Sequence, residues 1–190
     1  QVGEIRETTG LEKGAVLDVG SGYGYFRKTL EESGFEHDGL EVSAHAREVA
    51  KQLYGFESFN GRLEDQAGDW SGRYDLITMW DVIEHIPDPR RLLSCVGGCL
   101  KPGGFVALKT PNLTCPEAEL FGPYYHSFKR EHLWYFTADS LSALAKATRL
   151  AVVRMVSVSH LLQGFVGEEI TRSWESMMQG ADLSCVLRRM

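Results

Sequence analysis

The sequence of 190 residues has no apolar run that approaches the ~20 residues of a membrane-spanning helix, so we expect no membrane span. Cysteines are also scarce, and the four present are scattered along the chain: Cys95, Cys99, Cys115 and Cys185. They are too few for a disulfide framework, which fits a reducing compartment. Because Cys95 and Cys99 have no histidine or cysteine partner at the spacing of metal ligands, the sequence predicts no metal site.

Clusters of positive charge are missing as well. The formal net charge is -6, and the basic residues form only short pairs such as Lys129-Arg130 and Arg188-Arg189. A protein that tracks phosphates needs a basic surface, so nucleic acid is not an expected partner. The chain begins without the charged and then apolar segment of an export signal, which leads us to expect a cytoplasmic protein.

The sequence does contain the ordinary composition of a globular protein, with 43% hydrophobic and 24% charged residues, and its length predicts a single domain over 1–190. Hydrophobic periodicity predicts strands at 15–19, 35–42, 56–60 (weak), 73–80, 103–110, 150–158 and 183–190. It predicts helices at 25–34, 43–55, 87–100 and 137–148, and Ile170, Trp174, Met177 and Met178 also recur at helical spacing. This alternation indicates a doubly wound α/β sheet, mostly parallel, with helices on both faces.

The first predicted strand runs into the stretch VLDVGSGYGYF (16–26), which has glycines at positions 20, 22 and 24. Glycine loses more backbone entropy on folding than any other residue, so three of them imply a sharp bend or the close approach of a ligand. In a doubly wound sheet, ligands lie beyond the carboxyl ends of the strands, where this loop is expected. The spacing G-x-G-x-G differs from the G-x-G-x-x-G of dinucleotide-binding loops, which disfavours NAD.

With Asp18 just before the first glycine, VLDVGSGYG resembles motif I of the class I S-adenosylmethionine-dependent methyltransferases. The resemblance continues through GLEVS (39–43), YDLITMWDVIEHIPDP (74–89) and LKPGGFVALKTPN (100–112). Together with EHLWYFTADSL (131–141), these segments are similar to the ubiquinone-biosynthesis O-methyltransferases and related small-molecule methyltransferases. The resemblance implies a Rossmann-like sheet of about seven strands, mostly parallel, with an antiparallel last strand.

The resemblance also implies S-adenosyl-L-methionine as cofactor, S-adenosyl-L-homocysteine as product, and a set of binding residues. The implied residues are Asp18, Gly20, Ser21, Gly22 and Gly24 in the glycine loop, Glu41 and Val42 after the second strand, Leu63 and Glu64 in the turn 61–65, and Trp80 and Asp81 after the strand 73–80. Glu41 is expected to accept hydrogen bonds from both ribose hydroxyls, with a solvated strand-end acid as the alternative. The alternatives for Asp18 and Trp80 are a turn-capping carboxylate and a core aromatic.

Three histidines are candidates for removing a proton from the methyl acceptor: His85, His126 and His132. His85 closely follows the strand 73–80. An imidazole with an ordinary pKa of about 6.5 suits a general base. A structural histidine bonded to backbone is the alternative. His132 is the second candidate, and it reaches the site only if the segment 111–136 folds over it. This segment is long and rich in aromatic residues, which predicts an acceptor pocket or lid, or else aromatic packing onto the sheet.

The function expected from the resemblance is transfer of a methyl group to a small-molecule acceptor by direct in-line displacement, in which catalysis is mostly positioning. Oxygen is the expected acceptor atom, with nitrogen or carbon as alternatives. A non-catalytic cofactor-binding domain or partner subunit is the other hypothesis. Neither the acceptor nor the oligomeric state is predicted by the sequence.

Overall fold

A computed structural model of the chain describes residues 1–158 and 180–190. Six strands form one sheet in these two ranges: β1 Ala15–Val19, β2 Glu36–Leu40, β3 Tyr74–Trp80, β4 Leu100–Pro111, β5 Leu150–Val158 and β6 Asp182–Arg189. The helices are α1 Val2–Thr9, α2 Tyr25–Glu32, α3 Ala44–Tyr54, α4 Leu63–Gln66, α5 Pro89–Cys99, α6 Pro116–Phe121 and α7 Ala138–Ala147, with 3-10 turns at Ile83–His85 and Gly122–Tyr124. The helical spacing of Ile170, Trp174, Met177 and Met178 lies outside the described residues.

The strand order across the sheet is β2-β1-β3-β4-β6-β5. Strand β1 pairs in parallel with β2 and β3, and β3 pairs in parallel with β4. Strand β6 is antiparallel to both of its neighbours, β4 and β5. Because β1, β2 and β3 are parallel, their carboxyl ends lie at the same edge of the sheet. The strand order reverses at β1, and a doubly wound sheet binds its ligands at this edge, near the point of reversal. The predicted α/β class and the antiparallel last strand are confirmed.

The described residues form six strands, whereas about seven were expected. The stretch 56–60, predicted as a weak strand, makes only one parallel bridge, between Leu40 and Phe59. The backbone N–H of Phe59 donates to the carbonyl of Gly39 at 2.8 Å, and the N–H of Glu41 donates to the carbonyl of Phe59 at 3.0 Å. The segment therefore lies beside the end of β2 and makes a single bridge with it, which is too little pairing for a strand.

Alternate side chains of the strands pack on opposite faces of the sheet. Leu17, Ile77 and Leu108 belong to the larger cluster, on the face that α5 and α7 cover. Their chain neighbours, such as Val16 and Leu76, belong to the second cluster, on the face that α1 and α2 cover. Successive side chains of a strand point to opposite sides, so strands covered on both faces are apolar nearly throughout. Among the described residues, no helix combines the length and apolar character that crossing a membrane requires.

Local capping explains why two helices begin directly beyond the strand ends. The hydroxyl of Ser43 accepts a hydrogen bond from the N–H of Ala46 at 3.2 Å, as expected for the N-cap of α3. Asp88 caps α5 in the same way, accepting from the N–H of Arg91 at 2.9 Å. Helices α3 and α5 therefore start at the sheet edge where β2 and β3 end.

Candidate functional site

A cavity of about 320 Å³ opens at the carboxyl ends of β1, β2 and β3. Seven of the residues that the sequence singled out line it: Gly20, Glu41, Val42, Leu63, Glu64, Asp81 and His85. They come from the glycine loop, the end of β2, the start of α4 and the turn after β3, which are distant in sequence. The predicted residues Asp18, Ser21, Gly22, Gly24, Trp80 and His132 are not part of its lining.

The apolar walls of this cavity were not identified from the sequence. Val19, Leu40, Val82, Ile86 and Leu92 line it beside the predicted residues. In the sequence these side chains are indistinguishable from core residues, because strand ends and helix starts carry the same apolar pattern. Val82 and Ile86 flank the candidate base His85 in the sequence, but the sequence analysis did not single them out.

The glycine loop is held against the end of β2 by its backbone. The N–H groups of Gly20 and Ser21 both donate to the carbonyl of Leu40, at 2.8 and 3.2 Å. Gly20 has a φ of 69°, and a Cβ there would lie 2.6 Å from Cγ2 of Val82, so no other residue fits without a shift. Gly22 has a φ of 51°, but the nearest atom to a Cβ there is a backbone oxygen 4.0 Å away. The face of the loop at Gly22 is open.

Glu41 connects the glycine loop to the start of α3. Its Oε2 accepts a hydrogen bond from the N–H of Gly22 at 2.9 Å, and its Oε1 accepts from the N–H of Ser43 at 2.7 Å. The side chain lies at the cavity wall with the residue only 9% exposed, so the alternative of a solvated strand-end acid is wrong. A carboxylate has about four lone-pair sites, so both oxygens retain the capacity to accept further hydrogen bonds.

Asp18 lies beneath the glycine loop and is 2% exposed. Its Oδ1 accepts a hydrogen bond from the hydroxyl of Thr78 on β3 at 2.7 Å, so it does not cap a turn. Burial raises the pKa of the Asp18 carboxyl to about 7, although the Thr78 hydrogen bond and the charge of Arg27 act to lower it. Ser21 is also buried, and its hydroxyl oxygen has no hydrogen-bond partner among the described residues.

The side chains of Trp80 and Asp81 lie in different surroundings at the end of β3. The indole of Trp80 packs against the ring of Phe26 with centroids 5.0 Å apart, on the face of the sheet that α2 covers. Trp80 is therefore a core aromatic residue, which was the alternative to its role in cofactor binding. Asp81 adopts a φ of 55°, unusual for a residue other than glycine, and its carboxylate pairs with the ammonium of Lys109 at 3.0 Å. The same ammonium lies 3.6 Å from the carboxylate of Asp182.

Two of the three candidate histidines, His85 and His132, lie together, whereas Nε2 of His126 lies 3.1 Å from the hydroxyl of Ser127. Nδ1 of His85 is 3.0 Å from the backbone carbonyl of Glu131, and since a carbonyl only accepts, Nδ1 is the protonated nitrogen. Nε2 of His85 therefore carries the free lone pair. The rings of His85 and His132 meet edge to face, with centroids 4.7 Å apart. Burial lowers the pKa of His132, as do the neighbouring charges of His85 and Lys129.

Glu84 joins this pair and was not identified from the sequence. It is 1% exposed, and its Oε2 accepts a hydrogen bond from the hydroxyl of Thr110 at 3.0 Å. One carboxylate oxygen of Glu84 and one ring nitrogen each of His85 and His132 all lie within 4.8 Å of one another. Such a group of atoms suits a shared proton or a bound cation. An acid before a histidine in a polar turn gave no sequence signal for burial.

The segment 111–136 folds onto the strand end and brings His132 there. The N–H groups of Leu133 and Trp134 donate to the backbone carbonyl of Glu84, at 2.8 and 3.2 Å, and the indole N–H of Trp134 donates to the carbonyl of Ile86 at 2.9 Å. Some aromatic residues of the segment pack inside, as Tyr125 and Phe136 do, whereas Phe121, Tyr124, Phe128 and Trp134 are exposed.

The comparisons with known proteins agree with this architecture. A family model described as a methyltransferase domain matches residues 4–154. Curated relatives include the ubiquinone biosynthesis O-methyltransferases of Bordetella bronchiseptica, 33% identical over 128 residues, and Leptothrix cholodnii, 34% identical over 116 residues. These alignments cover 64% and 57% of this chain and 52% and 49% of the relatives, so the chain spans about half their length.

Solved structures share the fold at low sequence identity. A SAM-dependent methyltransferase from Archaeoglobus fulgidus superposes with a TM-score of 0.75 at 16% identity, covering 99% of this chain and 90% of the other. One from Methanosarcina mazei gives a TM-score of 0.73 at 17% identity, with 98% and 97% covered. Because the family model matches residues 4–154, the chain belongs to the methyltransferase-domain family. This membership confirms the enzyme class predicted from the sequence and implies S-adenosylmethionine as the methyl donor.

Substitution of Gly20 by alanine tests the contact between the glycine loop and Val82. We expect Gly20→Ala to lower the free energy of unfolding by more than Gly10→Ala does. Both glycines have nearly the same φ, 69° and 73°, but a Cβ at Gly10 meets no atom within 4 Å. The difference between the two variants, measured by urea unfolding, isolates the contact from the backbone strain. Equal losses would contradict a tight packing of the loop on Val82.

The buried carboxyl of Asp18 predicts a pH dependence of stability. Because its folded pKa of about 7 lies above its ordinary value of 3.8, its contribution is fully present below pH ~4 and is lost as the pH rises through about 7. Asp18→Asn retains an acceptor for Thr78 but does not titrate. We expect the unfolding free energy of the parent to fall relative to the variant between about pH 4 and pH 7, by up to about 1.4 kcal/mol per pH unit, and to level off above pH 7. Parallel stability curves would show that Asp18 titrates normally.

Proposed function

We propose that this domain transfers a methyl group from S-adenosylmethionine to an oxygen atom of a small-molecule acceptor. The observation that carries the proposal is the single cavity at the sheet edge, where the glycine loop and Glu41 lie on one side and His85 on the other. A cofactor-binding half and a proton-accepting half are thus adjacent. Methyl transfer to a hydroxyl needs both.

The residues at the cavity fit the proposed cofactor. Leu63, Val82 and Leu92 offer apolar walls for a planar adenine, and the oxygens of Glu41 can accept hydrogen bonds from ribose hydroxyls. The open face at Gly22 leaves room for a chain to pass beside the loop. When bound, the cofactor supplies a methyl carbon made electrophilic by the attached sulfonium.

His85 is the proposed general base. Its Nδ1–H is occupied by the carbonyl of Glu131, which directs the lone pair of Nε2 to the opposite side of the ring. The residue lines the same cavity as Glu41. His85 therefore removes the hydroxyl proton of the acceptor as the acceptor oxygen attacks. The rest of the catalysis is positioning, because direct displacement needs no covalent enzyme intermediate.

Oxygen is the proposed acceptor atom because relatives at 33–34% identity are named O-methyltransferases and because a histidine base suits a hydroxyl. The proposed acceptor wall is the segment 111–136, whose Leu133 and Trp134 backbone groups fasten it to Glu84 beside His85. Its exposed aromatic side chains provide an apolar surface for a small organic acceptor.

Loss of the Glu41 carboxylate should weaken cofactor binding. We expect Glu41→Ala to reduce the affinity for S-adenosylhomocysteine by about 1–3 kcal/mol, since hydrogen bonds to a charged group are lost and the loop contact at Gly22 is released. Glu36→Ala is the control, because Glu36 is an exposed acid at the start of β2, the strand that Glu41 follows. Titration calorimetry measures the affinities, and circular dichroism checks that both variants fold. An unchanged affinity for Glu41→Ala would refute the ribose role.

Loss of the imidazole at position 85 should affect turnover and not binding. We expect His85→Gln to lower kcat by about 100-fold or more, to leave the affinity for S-adenosylhomocysteine nearly intact, and to remove the acidic limb of the pH-rate profile. His45→Gln, at an exposed position, is the matched control. The assay follows formation of S-adenosylhomocysteine with a panel of catechols and quinol precursors. If His85→Gln retains the parental rate and profile, the residue is structural.

A further inference from the structure

Arg27, in the first turn of α2, is a buried cation to which the proposed function assigns no part. The residue is 3% exposed. Its Nε donates to Nδ1 of His37 on β2 at 3.2 Å, and its Nη1 donates to Oγ of Ser58 at 2.8 Å. The guanidinium also lies over the ring of Phe56, 4.7 Å from the centroid. One side chain of the helix that follows the glycine loop therefore contacts both β2 and the segment 56–60.

The guanidinium of Arg27 depends on these contacts because it is buried. A buried charge costs free energy unless it is compensated and hydrogen-bonded. Burial lowers the pKa of the Arg27 guanidinium, while the charges of Asp18 and Asp38 act to raise it. The donors of an arginine lie in a rigid planar fork, so the hydrogen bonds to His37 and Ser58 restrict the spacing of the elements that carry them.

Space for the guanidinium is provided by Gly39 on β2. A Cβ at Gly39 would lie 2.6 Å from Nη1 of Arg27 and 2.8 Å from Oγ of Ser21. The φ of Gly39 is not in the left-handed region, so its backbone conformation does not require glycine. The absent side chain instead leaves the space in which Arg27 lies beneath the glycine loop, because Ser21 belongs to that loop.

The contacts of Arg27 continue to Glu41 through the backbone. Ser58, which accepts from Arg27, precedes Phe59 in the chain. The carbonyl of Phe59 accepts a hydrogen bond from the N–H of Glu41 at 3.0 Å. Oε2 of Glu41 in turn accepts from the N–H of Gly22. These contacts form a closed ring, from the glycine loop through α2, Ser58 and the end of β2 back to the loop.

We propose that Arg27 is a positioning residue of the cofactor site, which holds the glycine loop and Glu41 at the spacing that the cofactor requires. Arg27 does not line the cavity, so it acts through Glu41 and not by touching the cofactor. This inference rests on the proposed function, because it takes the cavity beside Glu41 as the binding site of S-adenosylmethionine. Residues without ligand contact affect affinity when they restrict the groups that bind.

The affinity for S-adenosylhomocysteine is the direct test. We expect Arg27→Met, which keeps an unbranched side chain and removes the fork, to lower this affinity by about 10-fold. Arg27→Lys keeps a charge but lacks the fork, so it should restore only part of the loss. Arg6→Met is the matched control and should leave the affinity unchanged, since Arg6 also lies over an aromatic ring and donates to a backbone carbonyl, but on α1. Titration calorimetry measures the affinities, and urea unfolding measures the stability of each variant.

A milder variant removes one contact of the ring and keeps the buried charge. Ser58→Ala deletes the hydroxyl that accepts from Nη1 of Arg27, and we expect it to lower the affinity about 3-fold. It takes the place of Arg27→Met if that variant does not fold. Parental affinity in folded Arg27→Met, or in Ser58→Ala where Arg27→Met does not fold, would overturn the inference.

A double-mutant cycle tests whether Arg27 acts through Glu41. If the two residues belong to one ring of contacts, Arg27→Met should lower the affinity by less than about 3-fold when it is combined with Glu41→Ala. An arginine that only stabilises the fold would have the same effect in both backgrounds, and that result would contradict the inference. In turnover, Arg27→Met should raise the KM for the cofactor about 10-fold and leave kcat at the parental value, because the contacts of Arg27 hold the cofactor side of the cavity.

These readouts separate the inference from the proposed function. If the affinity for S-adenosylhomocysteine falls in Arg27→Met and no acceptor is methylated, the role of Arg27 stands and the proposed function fails. If methylation proceeds and both the affinity and the KM are unchanged in Arg27→Met, the proposed function stands and the role of Arg27 is overturned.

Discussion

The site depends on the two hydrogen bonds that the carboxylate of Glu41 accepts from backbone N–H groups. Its two oxygens accept from the N–H groups of Gly22 and Ser43, so a single side chain connects the loop after β1 to the helix after β2. Hydrogen bonds to an ionised carboxylate are roughly twice as strong as neutral ones. The two hydrogen bonds of Glu41 set the relative position of two walls of the cavity, and they leave the loop face at Gly22 open. The other wall elements, α4 and the turn after β3, are assembled around this frame.

Burial of polar groups at the carboxyl edge of the sheet is a second common feature. Asp18 relies on a single hydroxyl from Thr78, and Glu84 relies on a single hydroxyl from Thr110. Both strands β3 and β4 thus supply a threonine that partly satisfies a buried acid. Groups whose pKa is raised by burial are concentrated at functional sites, because tuned acids and bases require such surroundings. Here Asp18 lies beneath the glycine loop and Glu84 lies next in the chain to the proposed base, and neither lines the cavity itself.

The segment 111–136 is attached to the turn after β3, and this attachment forms the side of the site that contains His85 and His132. Leu133 and Trp134 donate to the carbonyl of Glu84, which fastens the segment to the 3-10 turn that carries His85. The same attachment brings His132 against His85. The proposed base is therefore held by contacts from two regions of the chain, the 3-10 turn and the segment 111–136.

The amino-acid sequence by itself determined the α/β class, the glycine loop and the acid at the end of β2. These features depend on local periodicity and on short spacings, which a linear reading contains. The antiparallel last strand was expected only because the resemblance to a known family implied it. Only the tertiary structure decided that 56–60 makes one bridge instead of a strand, that Trp80 packs against Phe26, and that Asp18 is buried. The pairing of Glu84 with His132 was likewise undetermined, since the two residues are far apart in the chain. Burial and contact between distant segments depend on packing, which has no short-range signal in the sequence.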